Sequence, residues 1–202
     1  QTVDVLIVGG AAIGSAAAYF LASQAGFKGS ILVAEQDFSY EKCATARSAA
    51  SIRHQFSTPE NIRMSQFGSS FIKSIEDHLT VDGNVPAVGF HEKGYLFLAT
   101  ETGRGILNSN HATQIALDVD VALLTPEQLK QRYSWMHTDD LAAGSLGLSG
   151  EGWLDAYGLM RALRSKAIAL GTRYSEVGVT ALRRSGSVIT GAVLSDGSTV
   201  HC

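Results

Sequence analysis

The chain has 202 residues, of which 45% are hydrophobic and 17% charged, with a formal net charge of −3. This length predicts one large domain or two small ones, with ample apolar material for a core. A slightly acidic chain is poorly suited to nucleic acid or an anionic membrane as its main partner. Cys43 and Cys202 lie far apart and match neither a metal-site spacing nor a disulfide framework, which favours a reducing compartment and no metal site.

The stretch from Val3 to Glu35 predicts a βαβ unit with a glycine-rich first turn. Val5 to Val8 is the apolar run of a buried strand, and Ala11 to Ala22 is rich in helix formers. A second apolar run, Ile31 to Ala34, ends in an acid, as the second strand of such a unit does.

The glycine-rich turn predicts an adenine-dinucleotide site. Glycines let the backbone turn sharply and let a pyrophosphate approach the free N–H groups at a helix start. In the pattern G-x-G-x-x-G the chain has Gly9, Ala11 and Gly14, so alanine replaces the middle glycine. Glu35 follows Gly14 by about 20 residues, the spacing at which an acid binds a ribose. A βαβ unit without phosphate is the alternative.

This apolar stretch does not predict a membrane span. No basic residue precedes it, Asp4 lies at its edge, and Gly9 and Gly10 break it where a strand should end. We therefore expect the chain to have no membrane span.

A polar stretch from Gln36 to Arg53 follows the second strand. Its small residues permit close approach of a ligand, and its hydroxyls and amides can hold phosphate or sugar oxygens. Its C-terminal half carries two positive charges, Arg47 and Arg53. A solvated surface loop is the alternative, which composition alone favours.

Two helices are predicted on either side of the middle of the chain. Ser57 to Glu60 has the hydroxyl, proline and acid of a helix start. Its apolar residues recur at four-residue spacing and predict one buried stripe, which consists of Phe67, Phe71, Ile75 and Leu79. The other helix begins after Asp155 and ends at Gly171.

Residues 84–150 differ in composition from their flanks and carry strand and capping-box patterns of their own. Beyond Gly171 we predict a third parallel strand from Arg173 to Val177, then a three-stranded meander with an Asp196-Gly197 turn. The chain is therefore predicted to have a nucleotide-binding domain in two parts, 1–83 and 151–202, and a partial second domain at 84–150.

This order of elements resembles the N-terminal half of the FAD-dependent oxidoreductase family of D-amino-acid oxidase, sarcosine oxidase and dimethylglycine dehydrogenase. The resemblance covers nearly the whole chain and is strongest to the branch of FAD-dependent oxidoreductase domain proteins. Its motifs are DVLIVGGAAIG, VAE, ATARSAASIRHQFSTPENIRMS, KGYLFLAT, LTPEQLKQRY, GWLDAYGLMRAL and GAVLSDGSTV. It implies FAD as cofactor and an α/β fold: a Rossmann-like FAD/NAD(P)-binding parallel sheet with a β-meander, plus part of an antiparallel α+β substrate domain.

The resemblance also implies which residues bind FAD. The residues for the pyrophosphate and the adenosine ribose would be Gly9, Gly10, Ala11, Ile13, Gly14 and Glu35, with Gln36 beside them. The residues for the phosphate and ribityl side would be Thr45, Arg47 and Ser48. Ala50 and Ser51 would approach the flavin ring, and the backbone of Val177 would face adenine.

Two residues are candidates for a role toward the substrate. Arg53 matches an arginine that in some relatives pairs with the substrate carboxylate, for which a planar two-pronged donor is well suited. A structural ion pair is the alternative for Arg53. His54 is either a residue that tunes the flavin or a structural histidine, and the structural role is favoured.

Two features depart from the family pattern. Relatives tend to have a Gly-Gly pair where this chain has Ala50-Ser51, so that with Ala11 side-chain atoms are added at two points of close approach to the cofactor. Relatives are also longer, and this chain ends inside the third meander strand. We therefore expect an open edge on Val5 to Val8 that pairs with another copy, with a separate polypeptide or with a missing C-terminal segment.

The predicted function is oxidation of the C–N bond of an amino acid or a secondary or N-methyl amine by hydride transfer to FAD. The chain would be a fragment of a longer enzyme and need not be active alone. Its partner would be that small substrate, in the cytoplasm or, in a eukaryote, the mitochondrial matrix. A flavin-fold assembly or scaffold protein without turnover is the alternative.

Overall fold

A computed structural model describes all 202 residues, which form eleven strands and six helices. The strands are β1 (Val5–Val8), β2 (Ile31–Glu35), β3 (Ser51–Ile52), β4 (Leu96–Ala99), β5 (Val121–Leu124), β6 (Ala143–Gly147), β7 (Gly152–Trp153), β8 (Arg173–Glu176), β9 (Val179–Ser185), β10 (Val188–Leu194) and β11 (Thr199–His201). The helices are α1 (Ala12–Ala22), α2 (Pro59–Lys73), α3 (Ile75–Leu79), α4 (Glu101–Ile115), α5 (Pro126–Arg132) and α6 (Ala156–Ala169).

The chain divides into two compact units. The first unit comprises residues 1–48, 75–88 and 155–202, and the second comprises residues 49–74 and 89–154. These units are compact parts of the chain and do not by themselves define domains. The domain boundaries predicted at 83/84 and 150/151 stay a prediction.

A parallel sheet in the order β1-β2-β8 forms the centre of the first unit. Val5 of β1 lies opposite Ile31, and Leu32 of β2 lies opposite Arg173. All five residues of β2 are buried, as expected for a strand with neighbours on both sides. Along Val5–Val8, β1 pairs only with β2, so the open edge predicted for this strand is confirmed.

The helix α6 packs against α1 in the first unit. Its N-cap is Asp155, whose carboxylate accepts a hydrogen bond from the amide of Gly158 at 2.9 Å. Gly171, with φ of +97°, follows its end, as predicted. Its buried stripe consists of Met160, Ala162, Leu163 and Ala167.

The predicted meander is the antiparallel sheet β9-β10-β11. Gly197 has φ of +83° in the predicted turn between β10 and β11. Apolar side chains of the meander and of the parallel sheet form one core, which consists of Val3, Leu32, Ala34, Val177, Leu194 and Val200.

The second unit contains the antiparallel sheet β4-β6-β5. The predicted capping box begins α5, because the Thr125 hydroxyl accepts from the Gln128 amide and the Gln128 side chain accepts from the Thr125 amide. Residues 49–74 belong to this unit, in which a two-stranded ribbon pairs Ser51 of β3 with Trp153 of β7.

The stripe predicted for the helix at Pro59 is wrong at Phe67, which is 58% exposed. Four-residue steps turn about 40° beyond a full helical turn, so a stripe at that spacing drifts off one face. The helix also stops at Lys73, and Ile75 and Leu79 belong to the separate helix α3. Ile62 is fully buried instead, against Val119 and Val121. None of the six helices is both long and apolar enough to cross a membrane.

Candidate cofactor and substrate site

The turn between β1 and α1 requires glycine at two positions. Gly9 has φ of +89°, in the left-handed region that glycine adopts without strain. A Cβ on Gly14 would overlap the carbonyl oxygen of Gly9, so any side chain there would push the helix away from the strand. The turn therefore has the close strand-to-helix approach of a dinucleotide-binding unit.

The first turn of α1 presents free amide groups. Its N-cap, Ala11, has no side-chain acceptor, and the first helical bond runs from the Ser15 amide to the Ala11 carbonyl. The Ala12 amide donates to the Thr45 hydroxyl at 3.3 Å, whereas the amides of Ile13 and Gly14 have no acceptor in the protein. Free N–H groups at the positive end of a helix suit a phosphate.

Glu35 ends β2 with its side chain turned to this glycine turn. One carboxylate oxygen accepts from the Gly10 amide at 2.8 Å, and the other accepts from the Asp37 amide at 3.0 Å. Each carboxylate oxygen can accept a second hydrogen bond, so the group can fix the turn and still bind ribose hydroxyls. A pocket of about 460 Å³ adjoins it, lined by Glu35, Gln36, Asp37, Tyr40, Lys42 and Cys43.

The loop after β2 brings only some of the predicted residues to the turn. Thr45 contacts α1 through the bond to Ala12, and exposed Gln36 lines the pocket beside Glu35. Arg47 donates from Nε to the Glu41 carbonyl at 3.1 Å, and the Ser48 hydroxyl donates to the Thr45 carbonyl at 3.0 Å. These last two contacts lie within the loop and stabilise its shape.

Val177 lies next to Glu35 through the backbone. Its amide donates to the Glu35 carbonyl at 2.7 Å, while its side chain is buried in the core of the unit. The predicted role of Val177 concerns its backbone, and its side chain packs in the core.

Sequence reasoning missed a polar and aromatic cluster behind the turn. The Ser15 hydroxyl donates to the Gly10 carbonyl at 2.6 Å and accepts from the Tyr174 hydroxyl at 3.1 Å. The guanidinium of Arg164 lies 4.0 Å from the Phe38 ring centre and also faces Tyr174. A serine inside a run of alanines was the only available signal.

Tyr40 is the buried member of the same cluster. Only 2% of it is exposed, its hydroxyl has no hydrogen-bond partner in the protein, and its φ is +58°. Burial raises the pKa of Tyr40 to about 12, so the group stays neutral. An ideal Cβ on Gly10 would lie 3.1 Å from this hydroxyl, so Gly10 leaves room for the ring.

In the second unit, Ala50 and Ser51 lead into the ribbon β3-β7. The Ala50 carbonyl accepts from the Leu154 amide at 3.2 Å, and Ser51 pairs with Trp153. Ala50 has φ of +52°, which costs an alanine about 1 to 2 kcal/mol relative to a right-handed conformation. Glycine would adopt this backbone without strain.

Arg53 is surrounded by aromatic rings, and its charge also acts on the buried carboxylate of Glu151. Its guanidinium lies 4.7 Å from the ring centre of Phe56, 5.6 Å from Tyr95 and 5.3 Å from Phe97. No carboxylate forms an ion pair with it, and its buried Nε has no hydrogen-bond partner in the protein. None of these contacts is the structural ion pair that is the alternative for Arg53, and its role toward a substrate stays a prediction.

His54 has the environment of a structural histidine. Its Nε2 lies 2.8 Å from the Ser69 hydroxyl, and its amide donates to the buried carboxylate of Glu151 at 2.6 Å. Any side chain on Gly150 would overlap the imidazole. Burial lowers the pKa of His54, and the positive charge of Lys73 lowers it further.

Glu151 and Gln55 are the site residues that sequence reasoning missed. Glu151 is fully buried and accepts from the amides of His54 and Gln55 and from the Gln55 side chain. Gln55 also donates to the Tyr95 carbonyl and accepts from the Ser145 hydroxyl at 2.6 Å. Burial raises the pKa of Glu151, opposed by these donors and by Arg53. This network fixes the backbone next to Arg53.

The first unit thus fits a dinucleotide, with free amides for a pyrophosphate and a carboxylate for a ribose. No group of three or more His, Cys, Asp or Glu side chains is placed to hold a metal ion. Fold and site together define a dinucleotide-binding α/β protein.

The chain belongs to the FAD dependent oxidoreductase family, whose model matches residues 4–202. This family assignment, with FAD as the family's cofactor, confirms the resemblance seen in the sequence.

This chain spans little more than a third of the length of the curated relatives that it matches. FAD-dependent oxidoreductase domain-containing protein 1 of Xenopus laevis is 40% identical over 174 residues, which are 85% of this chain and 35% of that protein. The Bos taurus protein of the same name is 37% identical over 91% of this chain and 38% of its own length.

Solved structures confirm the predicted fold class. L-proline dehydrogenase from P. horikoshii has a TM-score of 0.79 at 22% identity, over 100% of this chain and 51% of that chain. Glycine oxidase from Geobacillus kaustophilus has a TM-score of 0.78 at 21% identity, over 100% of this chain and 54% of that chain.

Proposed function

We propose that the whole protein oxidises the C–N bond of an amino acid or of a secondary or N-methyl amine, with FAD as electron acceptor. The observation that carries this proposal is Arg53, a guanidinium in an aromatic pocket that forms no ion pair within the protein. An arginine in this state is suited to a ligand carboxylate, which can accept two parallel hydrogen bonds from it. The names of the structural neighbours, a proline dehydrogenase and a glycine oxidase, support the same substrate class.

In the first unit, the residues proposed to hold FAD are those of the turn and the following loop. The free amides of Ile13 and Gly14 would bind the pyrophosphate, together with Gly9, Gly10 and Ala11. Glu35 and Gln36 would bind the adenosine ribose, and the backbone of Val177 would face adenine. Thr45, Arg47 and Ser48 would bind the phosphate and ribityl side, and Ala50 and Ser51 would approach the flavin.

When bound, FAD supplies a two-electron acceptor that takes a hydride from the carbon next to nitrogen. Arg53 would hold the substrate carboxylate and so fix the position of that carbon. The rings of Phe56, Tyr95 and Phe97 would exclude water and strengthen the charged contact. An amine that binds unprotonated needs no general base for hydride loss, and water would hydrolyse the resulting iminium cation to a carbonyl compound and an ammonium ion.

The test is flavin reduction by full-length protein under anaerobic conditions. A panel of N-methyl and D-amino acids is mixed with the holoprotein while flavin absorbance is followed. We expect at least one carboxylated amine to bleach the flavin, and the matching amine without a carboxylate to do so far more slowly. A panel in which no amine reduces a flavin that dithionite reduces would contradict the proposal.

A flavin-fold assembly or scaffold protein without turnover is the second candidate. Ala11 and Ala50 favour it, because each adds a methyl group where glycine gives a ligand the closest approach. Stoichiometric FAD that no substrate reduces would support this candidate.

We also propose that the open edge of β1 is covered in the whole protein, by self-association, by a separate polypeptide or by a further segment of the chain. The two free cysteines are consistent with a reducing compartment, the cytoplasm or the mitochondrial matrix.

A further inference from the structure

The pocket beside Arg53 contains a glycine that folding does not require. Gly68 lies in the interior of α2, where glycine is less favourable than any residue except proline. Its backbone is not in the left-handed region, and an ideal Cβ on it would meet no atom within 4 Å. Neither backbone conformation nor packing therefore explains its lack of a side chain.

The position of Gly68 is significant because it lines the same pocket as Arg53. This pocket has a volume of about 390 Å³, within the range of small-molecule sites. Its lining residues are Ser51, Ile52, Arg53, Phe56, Ser65, Gly68 and Tyr95, of which only Arg53 is charged. Ser65, one turn before Gly68 on α2, donates its hydroxyl to the Arg53 carbonyl and holds the helix beside the arginine.

We propose that Gly68 determines substrate size: the open space over it receives the apolar substituent of the carboxylate that Arg53 binds. This inference rests on the proposed function and narrows its substrate class. The ligand would be a monocarboxylate with a bulky apolar or aromatic group, because apart from Arg53 the pocket walls are apolar or neutral. A second charged group would lose its hydration without gaining a partner.

The test compares two carboxylates that differ only by a phenyl ring, acetate and phenylacetate. Their binding to full-length holoprotein is measured by calorimetry for the wild type, Gly68→Ala and Gly68→Leu. We expect the Kd of phenylacetate to rise from wild type to Ala to Leu, by about tenfold or more for Leu, because a misplaced methylene in an apolar pocket has effects of this order. The Kd of acetate should stay within about twofold for Ala.

Gly105 provides the matched control. It also lies inside a helix, α4, and an ideal Cβ on it would meet no atom within 4 Å. Gly105→Ala and Gly105→Leu should raise the melting temperature as the Gly68 variants do, since both positions gain helix propensity. They should leave both Kd values unchanged.

The outcomes separate this inference from the proposed function. Wild-type binding of both probes, with phenylacetate unaffected in Gly68→Ala and Gly68→Leu, would overturn the role of Gly68 and leave Arg53 as a carboxylate site. Equal weakening of both probes in Gly68→Ala would overturn it too, since a size effect requires a difference between them. A wild type that binds neither probe would overturn Arg53 as a carboxylate site, and with it this inference, while the flavin-reduction panel tests the oxidation itself.

Discussion

Glu35 shows how one side chain can serve both the fold and the ligand. Its two oxygens accept amides from Gly10 and Asp37, so the carboxylate stabilises the turn. Their remaining lone pairs are available to ribose hydroxyls. The same charge therefore preorganises the site and is proposed to bind the cofactor.

Replacing this charge should weaken FAD binding. In Glu35→Gln one oxygen becomes an NH₂ group facing an amide donor, and charged hydrogen bonds of roughly 1.5 to 3 kcal/mol each are lost. We expect the Kd of FAD for full-length apoprotein to rise by about tenfold or more. Glu41→Gln, at an exposed position in the same loop, is the control. Unchanged FAD affinity in Glu35→Gln would contradict the role of the carboxylate.

Replacing Arg53 should raise KM selectively for substrates that carry a carboxylate. Lysine retains the positive charge but cannot form two parallel hydrogen bonds with a carboxylate. We expect Arg53→Lys to raise KM for a carboxylated amine by about tenfold, with a much smaller change for a neutral amine. Steady-state kinetics on such a substrate pair gives the answer, and equal effects on both would indicate a structural role for Arg53.

His54 should make stability depend on pH. Because burial lowers its pKa, the folded protein resists the proton that the unfolded chain accepts near pH 6.5. The contribution of His54 is thus present above pH 6.5 and lost as pH falls toward the folded-state pKa. Thermal unfolding of His54→Gln should show a weaker loss of stability below pH 6.5 than the wild type. His137→Gln, at an exposed histidine, should keep the wild-type profile, and identical profiles for all three would contradict this role.

At the residue scale, sequence reasoning identified groups with a fixed spacing and missed those assembled by folding. Glu35 could be found because the fingerprint places an acid at a known distance from the glycines. Glu151 and Gln55 are distant in sequence and meet through the backbone of residues 54 and 55. No local pattern marks a buried carboxylate whose partners are amides.

At the scale of elements, the junction of β1 and α1 depends on Gly14. A methyl group there would overlap the Gly9 carbonyl, and the helix start would have to move. We expect Gly14→Ala to destabilise full-length protein by roughly 1 to 3 kcal/mol and to abolish tight FAD binding. Gly26→Ala is the control, since a Cβ there meets no atom within 4 Å. Normal FAD content in Gly14→Ala would contradict this description of the turn.

The predicted elements are confirmed where local signals agree with the fold. A local sequence motif marks each of three such elements: the βαβ unit, the capping box of α5 and the Asp196-Gly197 turn. The strand β6 has none, because its residues Ala143–Gly147 have low strand propensity. The strand forms because it pairs with β4 on one side and β5 on the other. Gly144 in it also packs closely against Leu129, since an ideal Cβ on Gly144 would lie 2.9 Å from that side chain.

At the scale of the whole molecule, the edge of β1 is the feature that this chain leaves unpaired. Val5 and Gly9 donate their amides to Ser30 and Ala34, so by alternation the amides of Leu6 and Val8 point to the open side. A row of free backbone groups on an apolar strand tends to pair with another strand.

Hydrogen exchange tests whether this edge is covered. In the full-length protein we expect the amides of Leu6 and Val8 to be protected to the same degree as that of Val5. In a monomeric sample of residues 1–202 alone they should exchange much faster. Rapid exchange of both amides in a monomeric, FAD-loaded full-length protein would contradict the proposed pairing.

The flavin content of the full-length protein tests the central claim most directly. The absorption spectrum between roughly 350 and 500 nm is measured for wild type and Gly14→Ala after reconstitution with FAD and gel filtration. We predict one bound flavin per wild-type chain, reducible by a carboxylated amine, and little or none in Gly14→Ala. A wild-type protein that remains colourless after reconstitution would contradict the account.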